Sequence, residues 1–321
     1  MADIAPVRSV EAPQRRPEQR ANWFSDLRFV WFGLIVKKSG RFIGPKELTP
    51  GELAKFFGYF GPVLWQGLHA RMGAKRALKV WFAPDRPRPW YVVWSALTLA
   101  GARIVKNETE ADASFYFEDV TVGAPPRPSM LNAGCPDISK TSVARAFERV
   151  AGYPLLIDPL TYTGTAVEKD ELNGAHDGRM APCPSEPRPG KCYQLFIDSA
   201  VADTAYDYRT TIIGRRPRCV LVKSKPASDR FSIHNTRVVF AELEDVFSAA
   251  EIALLTAYAE VMRLDWAALD VLRDATSGRI YVVDVNKTDT GPAVDLSWAD
   301  REKLKAVLAH GFRELIAGAS S

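Results

Sequence analysis

A strand–helix–strand pattern in the first half of the chain most constrains its fold. Apolar runs predict a strand over 78–82, a helix over 90–100 that ends at Gly101, and a strand over 103–106. Two strands joined through a helix run parallel, because only a long crossover returns the chain in the same direction. With a further strand predicted over 113–117, the sequence indicates an α/β region with a parallel sheet. No G-x-G-x-x-G follows the first strand, so a Rossmann dinucleotide site is not indicated.

Composition divides the chain into three parts. Residues 1–22 are rich in Pro, Arg, Glu and Gln and poor in apolar residues, so we expect a disordered leader. Residues 23–128 form the predicted α/β domain, which ends in a Pro-rich linker, and residues 129–321 form a second domain. In that domain we expect helices over 143–151 and 247–262 and from Ser297, a strand over 193–197, and two hairpins, 210–213 with 219–222 and 268–272 with 280–285.

An aromatic helix is predicted to begin at Glu52. Its large apolar residues recur at helical spacing: Phe56, Tyr59, Phe60, Val63 and Leu64. Such a stripe packs into a core or forms a membrane-surface or partner face. Few basic residues flank it, which favours a buried face.

Composition and charge narrow the class of protein. The chain has 321 residues, 47% of them hydrophobic and 25% charged, which is ordinary for a globular enzyme. The net charge of +4 fits an anionic small molecule, and no long basic run interleaved with aromatics points to nucleic acid. Four cysteines without C-x-x-C spacing, no apolar run of ~18 residues and no signal-peptide core predict a cytoplasmic protein without a membrane span. Nothing in the sequence indicates an oligomeric state.

Two apolar strands near the C-terminus each carry an acidic residue. Asp270 lies within Leu-Asp-Val-Leu, and Asp284 and Asn286 lie two residues apart in Tyr-Val-Val-Asp-Val-Asn. Residues two apart on a strand share a face, and Asp270 joins them if the strands pair antiparallel. Magnesium prefers such oxygen ligands, and a carboxylate on an apolar strand is costly unless it is paired or bound to metal. The pattern therefore predicts a magnesium site; the alternative is that both aspartates face water.

The stretch from Lys140 to Pro292 resembles the ATP-grasp superfamily, nearest to ribosomal-protein glutamate ligases and glutathione synthetase-like members. Its Leu-Asp-Val-Leu and Ser-Gly-Arg-Ile-Tyr-Val-Val-Asp-Val-Asn match the family pattern v-D-f…d-G-x-x-y-v-x-E-v-N. The resemblance implies an ATP-grasp fold after the α/β domain, in which Asp270, Asp284 and Asn286 coordinate two Mg²⁺ that bridge the phosphates of ATP. Asp284 stands where Glu is commoner in the family.

Two cations are implied by the same resemblance. Tyr-Asp-Tyr-Arg-Thr-Thr-Ile-Ile, which ends at Ile213, is similar to the D-x-R-v-x-v strand of these ligases, and Val-Leu-Val-Lys follows as the next strand. By that similarity Arg209 and Lys223 are catalytic residues that face phosphate or an acyl-phosphate, where a fixed cation offsets developing charge. The alternative for each is an ordinary surface pair.

The residues that would bind the nucleotide are implied by shorter matches to the family. Gln194 enters an apolar strand similar to the adenine-side strand of the family. This implies that the backbone of Leu195 and Phe196 bonds the adenine edge and that Asp198 or Asp207 reaches the ribose. A core strand is the alternative.

The predicted phosphate-covering loop follows Lys169, which the resemblance assigns to the α- or β-phosphate. Backbone N–H groups of Gly174 and Gly178 could form an anion-binding nest there. The loop has few glycines and Asp177 would repel phosphate, so a plain surface loop is the alternative. His176 is a second candidate in this loop, as a general base.

Three functions share this site. The resemblance favours an ATP- and Mg²⁺-dependent ligase that joins a small-molecule or peptide carboxylate to an amine or thiol through an acyl-phosphate. A nucleotide-binding module that does not catalyse, acting as a sensor or partner-binding subunit, and a small-molecule kinase are the alternatives.

Overall fold

The computed structural model describes residues 26–37, 42–45, 49–74, 76–175, 177–232, 234–290 and 295–319. The predicted leader over 1–22 and His176 lie outside these residues. None of the described helices is long and apolar enough to cross a membrane.

The first part of the chain contains two small sheets and two helices. Strands β1 (Leu27–Val30), β2 (Gly33–Val36) and β3 (Phe42–Ile43) pair antiparallel and are followed by helix α1 (Pro50–Gly73). Strand β4 (Lys79–Pro84), helix α2 (Val92–Leu99), and strands β5 (Arg103–Ile104) and β6 (Ala113–Phe117) then form a parallel sheet in the order β5-β4-β6. The predicted α/β region with a parallel sheet is confirmed, although α2 and β5 are each shorter than predicted.

The second part combines two antiparallel sheets with four helices. Its elements, in chain order, are α3 (Lys140–Ala151), β7 (Gly164–Asp170), β8 (Arg179–Cys183), β9 (Lys191–Leu195), β10 (Ala200–Val201), β11 (Thr204–Ile213), β12 (Arg216–Pro226), β13 (Arg237–Ala241), α4 (Leu243–Val246), α5 (Ala249–Val261), β14 (Trp266–Arg273), β15 (Ile280–Asn286) and α6 (Trp298–Ala319). Strands β8-β7-β9 form one sheet, and β13-β12-β11-β14-β15 form the larger one, with β10 beside β11. Both predicted hairpins are present, so the fold is the mixed α/β class that the sequence predicted.

Two predicted boundaries and one burial prediction differ from the structure. The helix predicted over 247–262 is α5, which begins only at Ala249, because Ser248 caps it in a reciprocal capping box with Glu251 and Phe247 is extended. The strand predicted over 193–197 ends at Leu195. In α1, Tyr59, Phe60 and Val63 are buried as predicted, but Phe56 and Leu64 are exposed.

The two faces of the larger sheet are covered differently. One face packs against α3 and α5 through residues such as Phe147, Leu255 and Leu269. The opposite face packs against α6 through Phe312 and Trp266, in a core that also contains the parallel sheet. The two parts of the chain therefore share one apolar core, and the domain boundary at 128/129 stays a prediction.

Asn132 joins the segment after β6 to β14. It has the left-handed backbone angle φ 62, which Asn tolerates better than most residues. Its Nδ2 donates to the carbonyl of Trp266 at 2.7 Å, and its Oδ1 accepts from the N–H of Trp266 at 2.7 Å. The side chain therefore pairs with the strand as a backbone would.

Candidate functional site

The three predicted metal ligands come together on β14 and β15. Asp270 lies opposite Asp284 and Ala268 lies opposite Asn286 in the antiparallel register. The Nδ2 atom of Asn286 lies 3.4 Å from Oδ2 of Asp270. Because β14 and β15 form a hairpin, two carboxylates and one amide share one small area of the sheet.

Lys140 is a member of this cluster that the sequence analysis missed. It is the first residue of α3, and its Nζ donates to Oδ1 of Asp284 at 2.5 Å and to Oδ1 of Asn173 at 3.1 Å. Its side chain is only 8% exposed. The predicted helix began at residue 143, three residues after the first residue of α3, and the burial of Lys140 was not visible in the sequence.

Arg209 bridges two carboxylates. On β11 it lies opposite Asp270, and its Nη1 donates to Oδ1 of Asp270 at 2.7 Å. Its Nη2 donates to the carboxylate of Asp289, a second residue that the sequence analysis missed. The backbone carbonyl of Asp289 also accepts from the N–H of Val92, so Arg209 is tied to the start of α2.

Lys223 and Asp207 complete the row of charges. Lys223 Nζ lies 3.8 Å from both Oδ2 of Asp207 and Oδ1 of Asp270. Burial and the charge of Asp270 raise the pKa of Asp207 to about 6, and among the described residues Oδ1 of Asp207 has no hydrogen-bond partner. For Asp270 burial acts in the same direction, but Arg209, Lys223 and Lys140 outweigh it and lower the pKa to about 2. Burial and mutual repulsion therefore raise the pKa of Asp207, while the surrounding cations hold the pKa of Asp270 below its usual value.

Lys169 approaches the cluster from the smaller sheet. Its Nζ donates to Oε1 of Gln194 at 2.9 Å. Burial lowers the pKa of Lys169, while the charges of Asp284 and Asp270 act to raise it, so the lysine lies on the side of the smaller sheet that faces these carboxylates without pairing directly with them. Gln194 is buried, and its Nε2 atom finds no partner among the described residues. An unsatisfied buried donor beside a half-buried lysine suits an acceptor-rich ligand.

The residues predicted at the adenine and ribose have other partners in this structure. The N–H of Leu195 donates to the carbonyl of Leu155 at 2.8 Å. The guanidinium of Arg230 lies 4.8 Å from the ring centroid of Phe196 and pairs with Asp198 at 2.9 Å. Asp207, by contrast, belongs to the charged cluster. The nucleotide roles of these residues stay predictions.

The predicted phosphate-covering loop contacts the charged cluster through Asn173, which was not among the predicted site residues. Nδ2 of Asn173 lies 3.5 Å from Oδ1 of Asn286, while its Oδ1 accepts from Lys140. Asp177 does not face the cluster; it accepts from Lys191 at 2.5 Å. Gly174 has the positive angle φ 79 that allows the chain to turn back there.

The oxygen atoms of Asp270, Asp284 and Asn286 suit a hard divalent cation whose other ligands are phosphate oxygens. Oδ1 of Asp284 accepts from Lys140 and from the N–H of Val285, whereas Oδ2 of Asp284 accepts no hydrogen bond from the described residues. Oδ2 of Asp270 and Oδ1 of Asn286 have only the two amide contacts at 3.4 and 3.5 Å. The described residues contain no group of three or more His, Cys, Asp or Glu side chains that could hold a metal. Two carboxylates and an amide fit Mg²⁺, which takes few protein ligands and completes its octahedron with phosphate oxygens and water.

Comparisons with known proteins add similarity in structure only. No protein-family model matches the chain, and no curated protein matches it in sequence. The ATP-grasp ligase PsnB in complex with a minimal precursor is 13% identical with a TM-score of 0.48, over 74% of this chain and 99% of that one. D-alanine–D-alanine ligase from Bacillus anthracis complexed with ATP is 12% identical with a TM-score of 0.44, over 76% and 97%. An ATP-grasp RimK domain protein from Sphaerobacter thermophilus is 12% identical with a TM-score of 0.42, over 74% and 99%. All three TM-scores are below 0.5, so any function for this chain has to follow from its own site residues.

Proposed function

We propose that this chain is an ATP-dependent ligase of the ATP-grasp type that joins a carboxylate to an amine or thiol. The observation that carries the proposal is the convergence of Asp270, Asp284 and Asn286 with four cations from separate elements. These cations are Lys140, Lys169, Arg209 and Lys223. Two carboxylates and an amide surrounded by four cations suit a polyphosphate whose charge is shared between metal and protein.

The metal-binding trio and the cations would have separate roles in binding ATP. Asp270, Asp284 and Asn286 would hold Mg²⁺, which supplies neutralisation and orientation of the phosphates of ATP. Lys140 and Lys169 approach the trio from α3 and β7 and would bind phosphate oxygens. The resemblance implies two ions, and their number is part of the proposal.

Arg209 and Lys223 would act on the transferring group. In the proposed reaction a substrate carboxylate oxygen takes the γ-phosphoryl group of ATP, and ADP leaves. The acceptor nitrogen or sulfur then attacks the acyl carbon, loses its proton, and displaces phosphate. The guanidinium of Arg209, held by Asp270 and Asp289, is fixed before the reaction and stabilises the charge that develops on the phosphoryl oxygens.

Nucleotide binding is tested first. The substitutions Asp284→Ala and Asn286→Ala should abolish Mg²⁺-dependent ATP binding in calorimetry while the circular dichroism spectrum is retained. Asp274→Ala is the matched control, because this acid lies in the turn of the same hairpin and accepts from Ser277. Unchanged ATP affinity in both site variants would contradict the assignment of Asp284 and Asn286 as magnesium ligands.

Product analysis tests ligation separately. The ligase should release ADP and phosphate only when carboxylate and acceptor are both present. A stable phosphorylated product without an acceptor identifies a kinase, and AMP with pyrophosphate identifies adenylate chemistry. ATP binding without turnover across amino acids, peptides and thiols identifies a module that does not catalyse. Each of these results contradicts ligation and leaves nucleotide binding intact.

A further inference from the structure

Helix α1 carries a second apolar stripe that nothing in the described structure covers. The side chains of Leu53, Phe57, Leu64, Leu68 and Met72 are between 41% and 68% exposed. At 100° per residue these positions and Gly61 lie within one 100° sector of the helix. The buried residues of α1, Tyr59, Phe60 and Val63, pack against α2. Phe60 lies about 20° from Leu53 around the helix, so the exposed stripe adjoins the core face and extends the apolar surface of α1 beyond what α2 covers.

The spacing of this stripe is the same from either end. Positions 53, 57, 61, 64, 68 and 72 are separated by 4, 4, 3, 4 and 4 residues. A twofold axis across the middle of α1 would therefore place Leu53 opposite Met72 of a second copy and Phe57 opposite Leu68. Gly61, whose missing side chain leaves open space, would face Leu64. A twofold interface needs a surface that is complementary to itself, and this stripe has that property.

We propose that the chain forms a twofold dimer in which the exposed stripes of two α1 helices pack antiparallel. With Trp65 at its edge, the stripe exposes on the order of 700 Å² of surface. That area exceeds the largest apolar patch of a typical monomer, about 300–600 Å². It is close to the ~800 Å² that each partner buries in a stable interface.

Charge argues for a second copy over other partners. The six positions contain no charged residue, and Arg71, which lies in the same sector of the helix, directs its guanidinium to the carbonyl of Ala102. A helix that binds membranes needs free cations along its polar side, but Lys55 lies 3.8 Å from Asp295 and Arg71 donates to that carbonyl. Residues 1–22 carry several arginines and glutamates and do not match an uncharged face.

Sedimentation velocity of the full chain tests the dimer. The wild type should sediment at twice the 35.6 kDa chain mass. Phe57→Asp with Leu68→Asp should raise the dissociation constant at least ~100-fold, because four carboxylates would be buried at the two contacts. Val201→Asp is the matched control, since Val201 is 66% exposed on β10, and it should leave the dimer intact. A wild type that is monomeric, or an aspartate variant that still dimerises, overturns the proposal.

Cross-linking tests the register without adding charge to the face. All four native cysteines are buried. Leu53→Cys with Met72→Cys should therefore join two chains through a short bis-maleimide, while either single variant should not. Efficient cross-linking of the Leu53→Cys variant alone contradicts the antiparallel register. Monomeric protein that co-sediments with anionic phosphatidylglycerol vesicles, and loses this property in Phe57→Asp, overturns the dimer in favour of a membrane surface.

Discussion

Replacing Lys140 with Met tests how the carboxylates of the site are kept together. Lys140 Nζ lies 2.5 Å from Oδ1 of Asp284, and Asp284 faces Asp270 across β14 and β15. Methionine preserves most of the apolar stem of lysine, so the substitution removes the charge and little volume. Without that charge, Asp284 has a neighbouring carboxylate and no cation in direct contact among the described residues.

The size of the effect follows from the geometry. Two unit charges about 4 Å apart interact by ~4 kcal/mol at the effective dielectric constant of ~20 found near protein surfaces. The side chain of Lys140 is 8% exposed and that of Asp284 is 22% exposed, so water screens the pair only in part. We expect Lys140→Met to lower the free energy of unfolding by about 3 kcal/mol, near the lower limit for removing one partner of a buried pair.

Urea unfolding at pH 7 in the presence of EDTA measures this loss. The cycle contains the wild type, Lys140→Met, Asp284→Asn and the double variant, and the double variant should lose about 2 kcal/mol less than the sum of the single losses. Magnesium without nucleotide should stabilise Lys140→Met more than the wild type, because the ion can replace the missing positive charge. Additive losses, or equal stabilisation of both proteins by magnesium, would refute the reasoning.

Two further predictions concern residues that hold the elements in place. The hydrogen bond from Arg179 is the main cause that lowers the pKa of Glu168, and burial opposes it. The ionised carboxylate therefore stabilises the fold above its unfolded pKa of ~4.3. This stabilisation is lost as the pH falls through the lower pKa of the folded state. Glu168→Gln should cost about 2 kcal/mol at pH 7 and much less at pH 3, and a pH-independent difference in urea midpoints would contradict this. Gly67→Ala should cost about 1–3 kcal/mol, because the added Cβ would lie 2.4 Å from a carbonyl oxygen of α2. Gly58→Ala on the same helix meets only an ordinary contact at 3.8 Å and should be neutral or stabilising in thermal unfolding.

Local patterns in the sequence were sufficient for much of the fold. The parallel sheet followed from apolar runs joined by a helix, and the shared face of Asp284 and Asn286 followed from the alternation of side chains along a strand. The sequence predicted a helix from Ser297, and the N–H of Asp300 donates to Oγ of Ser297 at the start of α6. These features depend on residues a few positions apart, so the chain carries their signal directly.

Apolar periodicity gave the position of some elements and not their exact bounds or their covered face. The apolar run over 247–262 indicated a helix, and α5 occupies it from Ala249, where Ser248 and Glu251 form the capping box. In α1 the apolar residues extend beyond the covered face, and periodicity alone does not tell which face the fold covers.

The sequence by itself determined the two strands that carry Asp270, Asp284 and Asn286 and the chemistry of those side chains. Only the tertiary structure decided which cations meet them. Lys140 reaches Asp284 across 144 positions of the chain and Asp289 reaches Arg209 across 80. Such contacts depend on strand register and on which helix end is buried against the sheet, and both are settled by packing of the whole core. Periodicity shows which side of a segment is apolar. The partner of a buried charge depends instead on which distant segments pack together and exclude water from it.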